Sequence, residues 1–494
     1  MKNKETYFAV LDVGKTNKKV LIFDYDLKIV DRESKKFEEF VDGNTFHDDV
    51  EGLKEWFLDT LTKFAKKYSI KAISVTTHGA TYILADELGN IAVPEVSYTT
   101  EPGEDFHKEF YHKFGNAIQL QQQTCTPNFG ALINTAKGVY FSQKHYPEHF
   151  KHTKYLLNYP QYFTFLLTGV PCYEHTFVGN HSYFWDYHSM DWSRLTKEMG
   201  LSHLLPKTFL KSWEPAGTLS DSMVQKTGLD PNVIVTAGIH DSNSSLLPYL
   251  ITQNEEFILN STGTWCVIMH EEEKARFAEN ELGKVVFYNL NAFSKPVKTA
   301  IFLGGFEYEQ YTNLLQRIHG DFETPPFNYE IMAKIILEKS FFILPTLAKG
   351  TGQFPQSNAR IIENKKAWFF DEMTEGSDFP DFLHDLPTAL AVLNLSLAIQ
   401  TFISFERAGM VDGMPVFTEG GFSKNDTYNA LLTAFYERSS FFVTNLSEAT
   451  AFGAAMCARS GLDGHSPMDL SKHIQLKKKG RSEGEIRRLK RLRG

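Results

Sequence analysis

The chain has 494 residues, more than one hydrophobic core ordinarily serves, so at least two large domains are expected. A hydrophobic fraction of 42% and a charged fraction of 22% are typical of a soluble globular protein, and no uninterrupted apolar run approaches the roughly 20 residues of a membrane span. The net charge is −9, and residues 477–493 carry nine Lys or Arg against two Glu, which leaves −16 (−9 − 7) on the rest of the chain. This acidic body argues against nucleic acid as the main partner.

The N-terminus and the cysteines predict a cytoplasmic protein. Only a short apolar run precedes Asp12, which is not the pattern of a signal peptide. The four cysteines are far apart and form no CxxC pair, as expected in a reducing compartment without structural zinc. The basic tail, residues 471–494, is interpreted as a solvated, partly helical terminus, with contact to an anionic surface as the alternative.

The N-terminal elements alternate between strand and helix, which predicts an α/β fold. Residues 7–12 and 18–24 form two strands around a tight turn, and Val20 and Ile22 alternate as in a half-buried strand. Residues 51–68 show the apolar spacing of an amphipathic helix, and a short strand follows at 72–76.

The second half begins with a hairpin of the same form. Strands at 256–260 and 265–269 flank a Gly/Thr turn, about half a chain after the first hairpin. This similarity predicts two domains on one plan, 1–247 and 248–470, with the boundary near Pro248. Two later helices are expected, one from Asp426 and one after Ser447, which is the predicted N-cap.

Each hairpin turn carries groups that can handle phosphate. In the first turn, Asp12 can hold a hydrated Mg²⁺, Gly14 admits an anion close to the backbone, and Thr16 can donate. Lys15 and Lys18 add positive charge. The second turn, Ser261-Thr262-Gly263-Thr264, offers similar donors. Either turn alone could be an ordinary hairpin, but two turns together could clamp the phosphates of a nucleotide from two domains.

A carboxylate lies between these turns in the sequence. Asp241 is expected in the loop after a strand at 233–237, at the end of the sheet where ligands bind in α/β proteins. An ionised Asp there can accept the proton of an attacking hydroxyl in phosphoryl transfer, although helix capping is the plainer interpretation. The glycine pairs 304–305 and 420–421 follow strands and leave room for a ring or a phosphate, but they are weak signals alone.

Taken in order, these motifs resemble the FGGY family of carbohydrate kinases over residues 6–460. The motifs are LDVGKTNKK (11–19), VTTHGATYILAD (75–86), LLTG (166–169), AGIHDSNSS (237–245), NSTGTWCVIM (260–269), FTEGGFSKNDTYNALLTAF (417–435) and EATAFGAAMCA (448–458). The resemblance implies two actin- and hexokinase-like (ribonuclease H-like) domains, with ATP and a sugar in the cleft between them.

The resemblance also implies site residues. Asp241 would be the catalytic base and, with Asp12, would hold Mg²⁺. The implied sugar contacts are His78, Gly79, His240, Asp241 and Trp265, and the implied nucleotide contacts are Gly14, Lys15, Thr16, Lys18, Thr262, Gly263, Thr264, Gly305, Gly420, Gly421 and Asn425. The expected partners are ATP and a small sugar, with no nucleic acid and no membrane, and a homodimer is left open.

The substrate is less defined than the reaction. His240-Asp241 followed by Trp265 looks most like the rhamnulose and fuculose kinase branch, where an aromatic face could meet a deoxy methyl group. Two segments depart from relatives at expected sugar contacts, Ser97–Glu101 and Gln161-Tyr162. Kinases of xylulose, ribulose or glycerol, a non-kinase ATPase of the actin-like fold and a catalytically silent sugar sensor remain as alternatives.

Overall fold

The computed structural model describes residues 5–348, 351–376, 378–444, 446 and 448–493. Its strands in the first half are β1 (Tyr7–Val13), β2 (Asn17–Asp24), β3 (Ile29–Lys36), β4 (Phe40–Asp42), β5 (Thr45–His47), β6 (Ile70–Thr77), β7 (Tyr82–Ala85), β8 (Tyr155–Asn158), β9 (Tyr173–Glu174), β10 (Trp185–Asp186), β11 (Asp191–Trp192), β12 (Phe209–Leu210), β13 (Pro215–Thr218), β14 (Ile234–Thr236) and β15 (Ile239–His240). Those in the second half are β16 (Ile258–Thr262), β17 (Cys266–Glu271), β18 (Val286–Leu290), β19 (Pro296–Phe302), β20 (Phe341–Leu344), β21 (Arg360–Glu363), β22 (Lys366–Phe369), β23 (Val416–Gly420), β24 (Phe441–Thr444) and β25 (Lys478–Gly480).

The helices connect these strands. They are α1 (Val50–Ala65), α2 (Glu104–Phe114), α3 (Ala117–Thr124), α4 (Thr135–His145), α5 (Pro147–Phe150), α6 (Tyr159–Thr168), α7 (His175–Val178), α8 (Arg194–Glu198), α9 (Asp221–Thr227), α10 (Asp241–Thr252), α11 (Gly304–His319), α12 (Tyr329–Glu338), α13 (Phe370–Glu375), α14 (Leu386–Arg407), α15 (Asp426–Phe435), α16 (Ala449–Asp463) and α17 (Glu483–Lys490). The predicted N-cap Ser447 lies outside the described residues, and α16 follows Glu448.

Two large sheets share one plan. In the first, the order is β13-β14-β6-β1-β2-β3, with β15 also paired to β6; in the second it is β18-β19-β17-β16-β23-β24-β25. Each contains an antiparallel hairpin, β1–β2 or β16–β17, extended by a third antiparallel strand. Parallel strands lie on the other side of each hairpin, β6 beside β1 and β23 beside β16. The sequence prediction of two domains built alike is therefore confirmed.

The first sheet is covered on both faces, which corrects the half-buried prediction for β2. Val20 and Ile22 pack in the core formed with α1 and α6, while Leu21 and Phe23 pack in the opposite core with α10 and α16. All four side chains are buried, because helices cover both faces of this mixed sheet.

Two helices cross between the halves of the molecule. Helix α10 packs Leu247 and Ile251 against the first sheet, while its Tyr249 joins a cluster with residues of the second. Helix α16 comes from the C-terminal half but packs on β1 and β6 of the first sheet. The predicted boundary near Pro248 lies inside α10, the helix that contacts both halves.

The basic tail is more ordered than a solvated terminus. Strand β25 extends the second sheet by pairing with β24, and α17 buries Leu489 in the core of that half.

Among the described residues, one helix, α14, is long and apolar enough to cross a membrane, and 56% of its apolar window is buried inside the fold. Helix α14 packs against α12, α15, β19 and β20.

Candidate active site

Asp241 lies where the first sheet meets α10. Strand β15 runs parallel to the end of β6, pairing His240 with Thr77, and the helix begins at the next residue. Asp241 is thus the first residue of the helix, whereas the sequence analysis had placed it in a loop. Its Oδ1 accepts hydrogen bonds from the backbone N–H (2.6 Å) and hydroxyl (3.2 Å) of Ser242. Burial raises the pKa of this carboxyl above its ordinary value.

A cavity of about 150 Å³ opens in front of Asp241 and is shared by both halves of the molecule. Residues of both sheets contribute to its walls, so it is an interdomain cavity. They are His78, Gly79, Ala80, Tyr98, Ile133, Asn180, His181, His240, Asp241 and Ser242 from the first half, and Trp265, Val267, Phe287, Asn289, Thr299 and Ile301 from the second.

Three histidines form the polar wall from the first half, and they converge on Gly79. A Cβ at Gly79 would lie 2.7 Å from Nε2 of His181 and 2.8 Å from Nε2 of His240, so a side chain there has no room. Burial lowers the pKa of His78 to about 4 and those of His181 and His240 to about 3, so all three rings are neutral near pH 7. Asn180 Nδ2 lies 2.8 Å from His240 Nε2.

Several polar atoms of this wall are buried without a hydrogen-bond partner among the described residues. They are His78 Nε2, Asn180 Oδ1, His181 Nδ1 and His240 Nδ1. Buried polar atoms are seldom left unpaired in folded proteins, because each loses its bond to water. Their concentration beside a cavity leaves room for water or a polar ligand to complete their hydrogen bonds.

The opposite wall, from the second half, is mainly apolar. Trp265 precedes β17, Phe287 lies on β18, and Val267 and Ile301 face each other in the β17–β19 register. Asn289 and Thr299 add the polar groups, but their Nδ2 and Oγ1 are already bonded to each other at 2.8 Å. The cavity therefore has one hydrogen-bonding side and one apolar side.

Asp12 is the penultimate residue of β1 and is not among the residues that line this cavity. Its Oδ2 accepts the hydroxyl of Thr450 at 2.9 Å, and burial raises the pKa of the carboxyl to about 6, with the charges of Asp241 and Glu448 adding to the rise. The charge of Lys19, which also pairs with Glu448 at 2.6 Å, already opposes this rise, and a Mg²⁺ ion, which prefers oxygen ligands, would oppose it further. The described residues hold no group of three or more His, Cys, Asp or Glu that could bind a metal ion.

The first predicted phosphate turn places only part of its groups as expected. Gly14 closes the hairpin through a backbone bond to Asn17 (3.0 Å), and Thr16 is exposed. The ammonium of Lys15, which was predicted near the phosphates, contacts Glu39, Asp48 and Ser97. Lys18 is buried and donates to the carbonyl of Lys15 at 2.6 Å, which ties it to the turn backbone.

The glycine-rich elements of the second half meet at one place. A Cβ at Gly305 would lie 2.0 Å from the carbonyl oxygen of Gly263, and one at Gly420 would lie 1.9 Å from that of Thr262. Gly420 also has φ +77°, a conformation that favours glycine. Three segments distant in sequence thus approach backbone to backbone, with Gly263 and Thr264 exposed. The Thr262 hydroxyl is already engaged, since it bonds the Glu419 carbonyl and accepts Phe422 N–H (2.9 Å).

Comparison with known proteins agrees with this architecture. The model of the FGGY family of carbohydrate kinases, N-terminal domain, matches residues 7–248, and that of carbohydrate kinase FGGY, C-terminal domain, matches residues 254–466. The chain belongs to the FGGY family. The fold is accordingly the two-domain actin- and hexokinase-like fold implied by the sequence motifs.

Individual relatives of this FGGY chain are distant. It is 26% identical to a rhamnulokinase of Halalkalibacterium halodurans over 53% of the chain and 56% of the relative. It is 25% identical to an L-fuculokinase of Salmonella typhi over 54% of the chain and 57% of the relative, so the matches span little more than half of these proteins. The crystal structure of a carbohydrate kinase from Novosphingobium aromaticivorans superposes with a TM-score of 0.75 at 22% identity, covering 96% of the chain and 93% of that structure.

A second cavity of the FGGY chain, of about 400 Å³, lies beside Gly421 and Asn425. Asn425 caps α15 by accepting the N–H of Tyr428 (3.1 Å), and its amide bonds Asn394 (2.7 Å). Its side chain is therefore committed to the fold, while Gly421 leaves the cavity wall bare. Tyr308 and a Thr-Pro-Pro segment, 324–326, form the facing wall.

Sequence reasoning missed part of the wall of the first cavity. Asn180 and His181 follow α7 in a segment without a short-range motif. The sequence around Phe287 and Ile301 indicates strands but gives no sign that these residues line a cavity. Gln161 and Tyr162, expected near the sugar, do not line the cavity: Gln161 donates to the Ala237 carbonyl (2.9 Å) and Tyr162 is buried in the core. A polar Gly-Asn-His-Ser run between aromatic stretches (179–182) was the available signal.

Proposed function

We propose that this chain is an ATP-dependent sugar kinase that transfers the γ-phosphate to a hydroxyl of a neutral ketose, with Asp241 as the base. The observation that carries the proposal is the position of Asp241 on the wall of a cavity shared by both halves, electrostatically coupled to Asp12. Trp265, directly after the second phosphate turn, lines this cavity, and Asp12, just before the first turn, is acted on by the charge of Asp241. In-line transfer needs the acceptor, the base and the phosphates close together.

The cavity chemistry supports a neutral, hydroxyl-rich substrate. None of the described lining residues is Lys or Arg, the three histidines are neutral, and Asp241 is the one carboxylate among them. A sugar acid would meet uncompensated negative charge here, whereas neutral hydroxyls satisfy the unpartnered wall atoms. The apolar wall with Trp265 favours a 6-deoxy-ketohexose such as rhamnulose or fuculose, whose methyl group loses little by leaving water.

Asp241 is suited to accept the proton of the attacking hydroxyl. Ser242 holds Oδ1 through two hydrogen bonds, which fixes the carboxylate. Asp12 and Asp241 would hold Mg²⁺, which when bound offsets the charge of the phosphate oxygens. Closure of the two halves over the cavity would exclude water and so limit ATP hydrolysis.

The nucleotide fits the second half. The exposed Thr264 offers its hydroxyl and the exposed Gly263 leaves the turn open to a phosphate, although the Gly263 N–H already donates to the Trp265 carbonyl (2.9 Å). The cavity beside Gly421 would accommodate a flat ring between glycine backbone and Tyr308. Of the predicted phosphate contacts, Thr16 and Thr264 are exposed, while the backbone N–H groups of Gly14 and Gly263 already bond Asn17 and Trp265. Lys15, Lys18 and Thr262 are engaged elsewhere.

Other functions are separable from this one. A non-kinase ATPase of the actin-like fold would not need the histidine wall, and its ATP hydrolysis would be insensitive to every sugar. A catalytically silent sensor would bind sugar without forming a phosphorylated product. Kinases of xylulose, ribulose or glycerol share the reaction and differ only in the preferred acceptor.

The test is a coupled ADP-release assay with L-rhamnulose, L-fuculose, D-xylulose, D-ribulose and glycerol, with product identification by mass spectrometry. We expect sugar-dependent ADP release, and Asp241→Asn should lower turnover by the roughly 10²–10⁴-fold typical of a lost general base while ATP still binds. Asp230→Asn, at an exposed turn, is the matched control. Near-full turnover by Asp241→Asn would refute its assignment as the base.

A further inference from the structure

Lys15 is the residue whose surroundings differ most from its expected role. Its Nζ lies 2.7 Å from Glu39 Oε1, 2.8 Å from Asp48 Oδ1 and 2.9 Å from Ser97 Oγ. It also lies 4.9 Å from the centre of the Tyr98 ring. An ammonium has three N–H donors, so these three acceptors use all of them.

These contacts oppose a phosphate role for Lys15. Two carboxylates already neutralise the ammonium, and its side chain is only 24% exposed. Reaching a phosphate would leave Asp48 unpaired, and that carboxylate is 9% exposed with one oxygen, Oδ2, already lacking a partner among the described residues. Breaking one side of a buried ion pair is costly because the other charge stays desolvated.

The same contacts connect Lys15 to the cavity wall. Tyr98, which lies under the ammonium, lines the cavity, and its ring packs against that of His78 (centroids 5.6 Å apart). Ser97, which holds Lys15, directly precedes Tyr98 in the chain. Asp48 acts electrostatically on His78, and Lys15 holds the pKa of Asp48 below its ordinary value despite burial.

We propose that Lys15 is a positioning residue for the sugar side of the cavity, which fixes Tyr98 and through it His78, and that it takes no part in binding the phosphates of ATP. The inference rests on the proposed function, since it assigns these two rings to the sugar. It replaces the role predicted for Lys15 from its place in a Gly/Thr turn.

The chemistry of the cluster predicts the direction of the effect. Without the ammonium, Glu39 and Asp48 repel each other across the site that Lys15 occupied, and the Tyr98 ring loses its cation–π contact. The 97–98 segment then shifts and the sugar-facing rings lose their fixed geometry. Nucleotide contacts in the second half are untouched by this change.

The test separates the two Michaelis constants. We expect Lys15→Met to raise the KM for each sugar that the wild type phosphorylates in the ADP-release assay by about tenfold, equivalent to ~1.4 kcal/mol. The KM for ATP should stay within about twofold of the wild-type value. Lys15→Arg should recover most of the loss, because guanidinium also pairs with carboxylates. Lys63→Met, which removes another lysine–glutamate pair of the first half away from the cavity, should change neither constant.

A second variant guards against misfolding of Lys15→Met. Ser97→Ala removes one Lys15 partner without exposing a charge and should raise the same sugar KM by about threefold. A KM for ATP that rises as much as or more than the sugar KM, in either variant, would overturn the inference and restore the phosphate role.

Failure of the proposed function would be visible separately. It would show as no sugar-dependent turnover by the wild type. Calorimetric titration with the same sugars and with ADP would then decide the inference: weaker sugar binding in Lys15→Met at unchanged ADP affinity supports it, and unchanged or absent sugar binding overturns it.

Discussion

The close crossing of α10 and α16 allows a prediction of how much one substitution would destabilise the fold. At Gly453 the two helices approach so closely that an added Cβ would lie 1.9 Å from the carbonyl oxygen of Ser244. The Ser244 hydroxyl bonds the Thr450 carbonyl there at 2.6 Å. Both helices lead to the candidate active site, because α10 begins at Asp241 and the hydroxyl of Thr450 bonds Asp12.

Gly453→Ala should therefore disturb stability and activity together. An ordinary van der Waals contact at about 3.5 Å would require the helices to separate by about 1.6 Å. Overpacking of this kind costs about 1–3 kcal/mol, and loss of the buried Ser244–Thr450 bond adds about 1 kcal/mol, so we expect about 2–4 kcal/mol of destabilisation. Because Asp12 and Asp241 shift relative to each other, turnover should fall more than sugar binding weakens.

The assay combines differential scanning calorimetry with steady-state kinetics. Gly484→Ala is the matched control, because a Cβ at that helical glycine meets nothing within 4 Å. It should retain or slightly raise the Tm, since alanine favours helix. A Gly453→Ala protein with wild-type Tm and turnover would refute the argument that this crossing couples the two halves.

Two further predictions concern stability. Glu174 accepts bonds from Thr176 and Ser212, and burial raises its pKa to about 7. Folding then favours the protonated form of Glu174, so the free energy of unfolding should fall as pH rises from about 4.5 to 7. Glu174→Gln should remove roughly 3 kcal/mol of this pH dependence, measured by Tm or by urea titration at several pH values. A variant with the same pH profile as the wild type would contradict this prediction. Deleting residues 477–494 removes β25 and Leu489, so the truncated protein should have a lower Tm. It should also aggregate, as measured by light scattering, because the edge of β24 is then exposed. A truncated protein with unchanged Tm and no aggregation would support the solvated-tail interpretation.

The sequence by itself determined the elements whose signal is local. Both hairpins, the helix at α1 and the helix from Asp426 follow from apolar periodicity and turn residues, and their observed bounds lie within a few residues of the predicted ones. The order of motifs also identified the family, and the equivalence of the two hairpins predicted two similar domains. These features depend on contacts between neighbours in the chain.

Only the tertiary structure decided which side chains share the cavity. Asn180, His181 and Phe287 come from segments without a motif, and Lys15 has the sequence context of a phosphate ligand but the surroundings of a buried ion pair. Its partners Glu39, Asp48 and Ser97 lie 24 to 82 residues away. The local sequence shows which donors and acceptors a turn contains. The group that pairs with a charged side chain is decided by the tertiary structure, which brings residues distant in the chain within about 3 Å of it.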